Sequence, residues 1–258
     1  MLRLRKVGLM NLKAVKKTGG IWILLMVIFL LIHFFYIIVQ IKSDNRVIVD
    51  DALLVALFLY LNTRFFHLKL LNIKKLSLGE LLRINSFPLV LYFFYIVAIL
   101  QYLPLTNFAN FLDSILLALS AAVFEEIFFR GLLINSFLAN ALQNYRSYLQ
   151  AILFSSFLFG VTHMINLFGQ SLSATLLQAT NAFAIGMMLG AIYLRTGNLA
   201  WTILFHFMLD FTGILVSGTI ITATPTSQKT VAVLIIDVLY IALGLLLSRK
   251  SQILKQRL

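Results

Sequence analysis

The feature that most constrains this chain is a series of apolar runs, each about as long as a membrane is thick. A helix needs ~20 apolar residues to cross a hydrocarbon core ~30 Å thick. Eight stretches meet or approach that length, at roughly 21–41, 50–64, 86–103, 109–134, 148–168, 172–194, 199–219 and 230–248. The second is the weakest. Asp50 and Asp51 open it and Asn62 and Arg64 close it, which fits a short or tilted element. The runs are too long and unbroken for the ~10-residue strands of a membrane barrel. Composition agrees. Of 258 residues 61% are hydrophobic and only 12% are charged, more apolar surface than a water-soluble globule can hide. The expectation is an all-α, polytopic transmembrane helical bundle of about eight spans, forming a single integral membrane domain over 1–258. With no cysteine there is no disulfide framework, zinc finger or thiol nucleophile.

The net charge of +12 resembles a nucleic-acid signal until its distribution is followed. The segment before the first run, the connections after the second, fourth and sixth, and the tail carry 17 of the 21 Lys and Arg. The alternate connections hold only Lys42, Arg46 and Lys229, and Arg130 lies inside a run. Cytoplasmic loops are the basic ones. The bias therefore predicts an even number of spans with both termini cytoplasmic, in a plasma membrane of bacterial type. The partner of this charge is membrane lipid, not nucleic acid. The basic N-terminal stretch followed by an apolar run resembles a signal peptide. The run is too long for one and no small-x-small cleavage site follows, so it is expected as the first retained span.

Ionisable residues inside the runs are then conspicuous. Asp44, Asp50, Asp51 and Glu80 belong to loops or span edges, and Asp113 to the outer end of its span. Glu125, Glu126 and Arg130 stand instead in LSAAVFEEIFFRGLL, and His206 and Asp210 in TILFHFMLDF. One charge at a helix centre costs ~2.5–3.5 kcal/mol on insertion, and such residues generally mark function. Their spacing is helical. Glu126 and Arg130, Phe159 and His163, and His206 and Asp210 are each four apart, so three helices each present one polar stripe. A bundle turns such stripes inward, away from lipid.

These side chains resemble the parts of a hydrolase. A buried glutamate can act as general base toward water. A histidine is a second base, a water positioner or a metal ligand. His206, oriented by Asp210, can donate to a developing oxyanion. Arg130 pairs with Glu126 and holds the helix turn. No serine sits in a nucleophile elbow and no HExxH motif occurs. A set of Glu125, His163 and His206 can bind Zn²⁺ with one open position, and the same set can work without metal. No organic cofactor is expected.

Glu125-Glu126-x-x-x-Arg130, Phe159-x-x-x-His163 and His206-x-x-x-Asp210, in that order on separate spans, resemble the three-motif signature of the CPBP family. That family comprises type II CAAX prenyl endopeptidases and bacterial Abi-like, bacteriocin-processing proteases. The resemblance covers about residues 108–215, the expected catalytic core. The third motif commonly ends in Asn, where this chain has Asp210. The resemblance implies intramembrane hydrolysis of a peptide bond in a prenylated or leader-type peptide, and the short, bacterial-style chain favours the Abi-like branch. By position, Glu125 activates water near His163. His206 and Asp210 stabilise the oxyanion or complete a metal site, and Glu126 and Arg130 support them. The family is usually labelled metalloprotease, while a metal-free glutamate mechanism is argued for its eukaryotic members.

Two rival readings use the same residues. An ion-coupled transporter also relays charge through Glu, His and Asp, but usually has Gly/Pro-broken spans in paired halves. Here Pro occurs only at 88, 104 and 225. A binding or bacteriocin-immunity protein could keep the fold without catalysis. His33 and His67, isolated from the motifs, are expected to play no catalytic part. Asp237 has no sequence explanation beyond a local pair or a polar cleft. Gly186 and Gly190 form a G-x-x-x-G expected to serve close helix packing. Phe128, Phe129, Phe159 and Phe205 are expected to wall the site against bulk water.

Overall fold

The computed structural model describes residues 11–39, 46–142, 144–218 and 224–250. Among these residues every regular element is helical. The long helices are α1 (Leu12–Val39), α2 (Arg46–Leu61), α3 (Leu78–Tyr102) and α4 (Phe108–Glu126). A short α5 (Asn135–Ala139) precedes α6 (Tyr145–Thr162), α7 (Leu172–Thr196), α8 (Leu199–Ser217) and α9 (Ser227–Leu247). Each of the eight expected spans thus corresponds to one long helix. Several begin earlier than the apolar pattern suggested because a polar residue fixes the start. Ser77, Asn107, Asn144, Ser171, Asn198 and Thr226 each accept a backbone N–H from the first turn that follows.

Six of these helices (α1, α3, α6 with its following turn, α7, α8 and α9) are long and apolar enough to cross a membrane. The chain is therefore an integral, multi-pass membrane protein. α2 has only 16 residues, as its flanking polar residues foretold. Asn62 ends it by clamping the loop, accepting from Leu68 N–H and donating to Leu68 C=O. α4 is long enough but carries Asp113, Glu125 and Glu126. Large apolar side chains face outward, among them Ile38 on α1, Phe93 and Phe94 on α3, and Val238 on α9. Lipid is the surface these side chains suit.

α7 is the inner helix, buried almost continuously from Ala182 to Thr196 and packed against α6, α8 and α9. Its glycines permit this. A Cβ on Gly186 would come within 2.9 Å of Ser156, and one on Gly190 within 3.3 Å of Ile152, both on α6. The G-x-x-x-G is thus a packing seam, as expected. Gly244 of α9 lies against the other side of α7, where a Cβ would meet the Met187 carbonyl at 2.7 Å. The turn from α7 to α8 is strapped by the 67–77 connection. Asn72 N–H donates to Gly197 C=O and Lys74 N–H to Thr196 C=O, both at 3.0 Å. Gly197, at φ +66°, could carry no side chain there, since its Cβ would overlap the Asn72 carbonyl.

The rod begun by α4 does not end at Glu126. Residues Ile127–Ile134 continue it with a wider, π-type winding before α5 resumes the ordinary pitch. Such winding leaves carbonyls short of partners and recurs at functional sites. Ser155 of α6 donates to the Phe129 carbonyl at 2.7 Å, and Asn135 to the Gly131 carbonyl at 2.6 Å. The change of winding falls inside the Glu-Glu-x-x-x-Arg motif and locks that stretch to α6.

Candidate active site

Glu126 is the hub. It is fully buried, and one oxygen, Oε1, serves two partners. Arg130 Nη1 lies 3.0 Å away and His206 Nδ1 donates to it at 2.9 Å. The guanidinium also stands over the Phe159 ring, 4.6 Å from its centroid, a cation–π contact strengthened by the lack of water. α4, α6 and α8 are thus tied at one point by their three motifs.

With Nδ1 occupied by Glu126, the other nitrogen of His206 turns to the open side. Nε2 lies 3.3 Å from Glu125 Oε2 and 3.4 Å from Asp210 Oδ2. The two carboxylates are partly accessible, with side-chain exposures of 21% and 36%, whereas His206 has 6%. One imidazole therefore separates a closed pair, Glu126–Arg130, from an open pair, Glu125–Asp210.

His163 is the first residue after the α part of α6, where the rod tightens into a 3₁₀ turn. Its Nδ1 donates to the Phe159 carbonyl at 3.0 Å. A carbonyl can only accept, so a neutral ring keeps Nε2 free as a base or acceptor. Phe159 stands edge-on to both histidines, with centroid distances of 5.0 Å to His163 and 5.6 Å to His206. Phe129 packs on Phe159, Phe205 on Tyr92, and Phe128 turns away toward Phe58 of α2. Three of the four expected wall residues therefore line or back the site, and Phe128 belongs to the apolar core.

Of the three residues expected to be able to hold a metal, Glu125 and His206 are in direct contact, and both nitrogens of His206 face carboxylates. Among the described residues no group of three or more His, Asp or Glu side chains is arranged to hold a metal ion.

Sequence reasoning missed two contributors outside the motifs. Asp51, expected at a span edge, is buried, and its Oδ2 accepts from Ser120 of α4 at 2.9 Å. It stands within electrostatic reach of Glu125 and Asp210. Asp51, Leu54 and Phe58 share one buried stripe of α2. Trp22 of α1 donates from Nε1 to Thr162 Oγ1 at 2.8 Å, holding the residue before His163. Asp237 forms the local pair the sequence allowed for, accepting from Asn181 of α7 at 2.6 Å. His67 is exposed in its loop, and the side chain of His33 lies outside the described residues.

Residues 107–212 match the family model of Rce1-like type II CAAX prenyl endopeptidases. No curated protein and no solved structure matches the chain. The matched segment runs from the cap of α4 to just past Asp210, so it contains all three motifs. The family likeness drawn from those motifs stands, and it implies a protease acting on peptide or prenylated substrates in membranes. Asp51 and Trp22 lie outside the match.

Proposed function

We propose that the protein is an intramembrane endopeptidase that hydrolyses a prenylated or leader-type peptide with a glutamate-activated water. The observation that carries this reading is His206, held from behind by Glu126 and facing Glu125 and Asp210 in front. Glu125 takes a proton from the water, whose oxygen then bonds to the scissile carbonyl carbon. His163, through Nε2, positions that water. His206 donates from Nε2 to the carbonyl oxygen as it gains charge, with Asp210 orienting the ring. When the C–N bond breaks, Glu125 returns the proton to the leaving amine. Glu126 and Arg130 touch no reacting atom and keep His206 in register. The helices α4, α6 and α8 form the catalytic core of one membrane domain. It sits with both termini in the cytoplasm of a bacterial-type cell, and its basic loops lie against anionic lipid.

The test is a comparison of membrane and secreted peptides from cells expressing wild type or Glu125→Gln at matched levels. It is repeated with purified protein in liposomes on a prenylated C-a-a-X peptide and a leader-type peptide, with and without chelator. New peptide ends made only by the wild type support proteolysis, and loss of them with chelator adds a metal to the scheme. Identical peptidomes with any phenotype retained by Glu125→Gln favour a non-catalytic binding or immunity role. Ion flux driven by a proton gradient across the liposome membrane, with no cleavage of either peptide, favours the ion-coupled transporter reading.

A further inference from the structure

A group of three amide side chains lies outside the motifs and has no part in the proposed reaction. It begins three residues after His163. Asn166 Nδ2 donates to Gln178 Oε1 at 2.9 Å, and Gln170 Nε2 donates to the same oxygen at 2.6 Å. Asn166 and Gln170 lie in the turn and loop that follow α6, and Gln178 lies on α7. All three are part-buried.

Their placement relative to His163 follows from the winding. His163–Phe168 is a 3₁₀ turn. In that winding residues three apart eclipse, and each residue rises about 2 Å. Asn166 therefore stands on the His163 face, ~6 Å further along the axis. The α7 side is fixed as firmly. A Cβ on Gly160 would come within 2.7 Å of the Ala179 carbonyl. α6 and α7 thus meet at close range three residues before His163 and one residue after Gln178. The amides continue the catalytic face of α6 as a rigid polar edge.

The chemistry of that edge matches one kind of ligand. Gln178 Oε1 takes both donors, so Asn166 Oδ1 and Gln178 Nε2 are not used in these bonds. An acceptor and a donor side by side complement the N–H and C=O that one residue of an extended chain presents to one side. A peptide cleaved inside a membrane brings that need. In a helix its scissile carbonyl is engaged in the helix's own hydrogen bonds, so the segment must open before water can attack. The N–H and C=O groups freed by opening are costly in hydrocarbon unless the protein pairs them. The side chains of Phe129, Phe159 and Phe205 offer no partner.

We propose that Asn166 and Gln178 form a main-chain subsite for the unwound substrate. Asn166 Oδ1 accepts a backbone N–H, and Gln178 Nε2 donates to the carbonyl of the same residue, beside the bond that Glu125 and His163 address. The subsite reads backbone rather than side chain, so its ligand is an extended peptide. Its place in catalysis rests on the proteolytic reading above, whereas peptide binding does not.

The test uses the full chain in lipid nanodiscs, in a Glu125→Gln background that binds without cleaving. Fluorescence anisotropy gives Kd for labelled leader-type and prenylated C-a-a-X peptides. Each is also made as a series with one backbone amide at a time replaced by an ester, which removes one N–H and adds no bulk. At one position the ester should weaken binding about three- to tenfold, the effect of one hydrogen bond. With Asn166→Ala added, the all-amide peptide should bind as weakly, and the ester at that position should cost nothing further. Asn166→Asp is nearly isosteric and keeps the acceptor oxygen, so it should keep the ester penalty. A folding defect in the alanine variant therefore cannot mimic the result. A clasp that only holds the turn would weaken all peptides alike. Ester penalties that all survive Asn166→Ala, or no binding of either peptide, overturn the subsite. Wild type run in parallel tests the other reading separately. Coupling to Asn166 without cleavage by wild type overturns proteolysis and leaves a peptide-binding site, and cleavage without coupling does the reverse.

Discussion

Glu125 and Glu126 are neighbours on one helix and live in different media. Glu126 is wholly buried and shares a single oxygen between Arg130 and His206. Glu125 is partly accessible and meets His206 from the front, beside Asp210 and within reach of Asp51. Successive residues on a helix are turned by ~100°, so one carboxylate can face the protein and the next a cleft. The difference separates holding from reacting. The closed half ties three helices at one point, and the open half keeps its carboxylates partly accessible.

The sharpest way to break this comparison is to remove each carboxylate in turn. Glu126→Ala leaves the Arg130 guanidinium buried with no carboxylate, a change that typically costs about 3–5 kcal/mol. Unfolding in detergent should show that loss, together with low yield of folded protein. Glu125→Gln should leave the unfolding midpoint nearly unchanged. It should cut cleavage by about 10²–10⁴-fold, the usual contribution of a general base. Equal loss of stability in both variants would erase the distinction between the halves.

The scaffold around the two halves can be probed through its glycines, with smaller effects. An added methyl at Gly244 would meet the Met187 backbone, and one at Gly160 the Ala179 carbonyl, each at 2.7 Å. Backbone cannot step aside, so each alanine should cost about 1–3 kcal/mol in overpacking. Gly160 lies three residues before His163. Its alanine should also lower kcat, because α6 must move, whereas the folded fraction of Gly244→Ala should cleave normally. Gly190→Ala meets only side chains, Ile152 at 3.3 Å and Ile134 at 3.5 Å, and should be milder than either. Equal kcat in the Gly160 and Gly244 variants would detach His163 from the packing of α6.

Much of this was legible from residue order. The eight runs mark the eight long helices because lipid leaves a spanning chain little choice but helix. The motifs were legible because a charge inside an apolar run stands out, and the four-residue spacing faced each pair inward. The closed-versus-open split was not, since both glutamates look alike in sequence. It depends on how α8 docks, and on the wider winding after Glu126, for which IFFRGLLI carries no local signal. Asp51 was hidden by its place at the edge of a weak run. Trp22 was hidden because its partner, Thr162, lies 140 residues away.

Ser120→Ala tests how far the open half extends toward α2. It removes the hydroxyl that donates to Asp51 and leaves a buried carboxylate short of a partner. The cost should be about 1–3 kcal/mol in stability. A fall in kcat should accompany it, because a freed Asp51 carboxylate sits within reach of both Glu125 and Asp210. A variant as stable and active as wild type would make Asp51 a bystander and confine the open half to the three motifs.

The smallest expected effect belongs to Trp22→Phe, and it asks whether α1 helps to place His163. The indole N–H reaches Thr162 Oγ1, which itself donates to the Leu158 carbonyl at 2.9 Å. Phenylalanine keeps the ring's packing against α6 and loses the donor, leaving Thr162 with its bond along the helix. The stability cost should be about 0.5–1.5 kcal/mol, the net value of one ordinary hydrogen bond. Because His163 begins the tightened turn directly after Thr162, the end of α6 should loosen, and kcat should fall about two- to threefold with KM unchanged. Thr162→Val removes the same contact from the other side, so the double variant should be no worse in kcat than Thr162→Val alone. Additive losses would mean that Trp22 acts elsewhere. The open half would then be positioned from α6 itself, as the closed half is from α4.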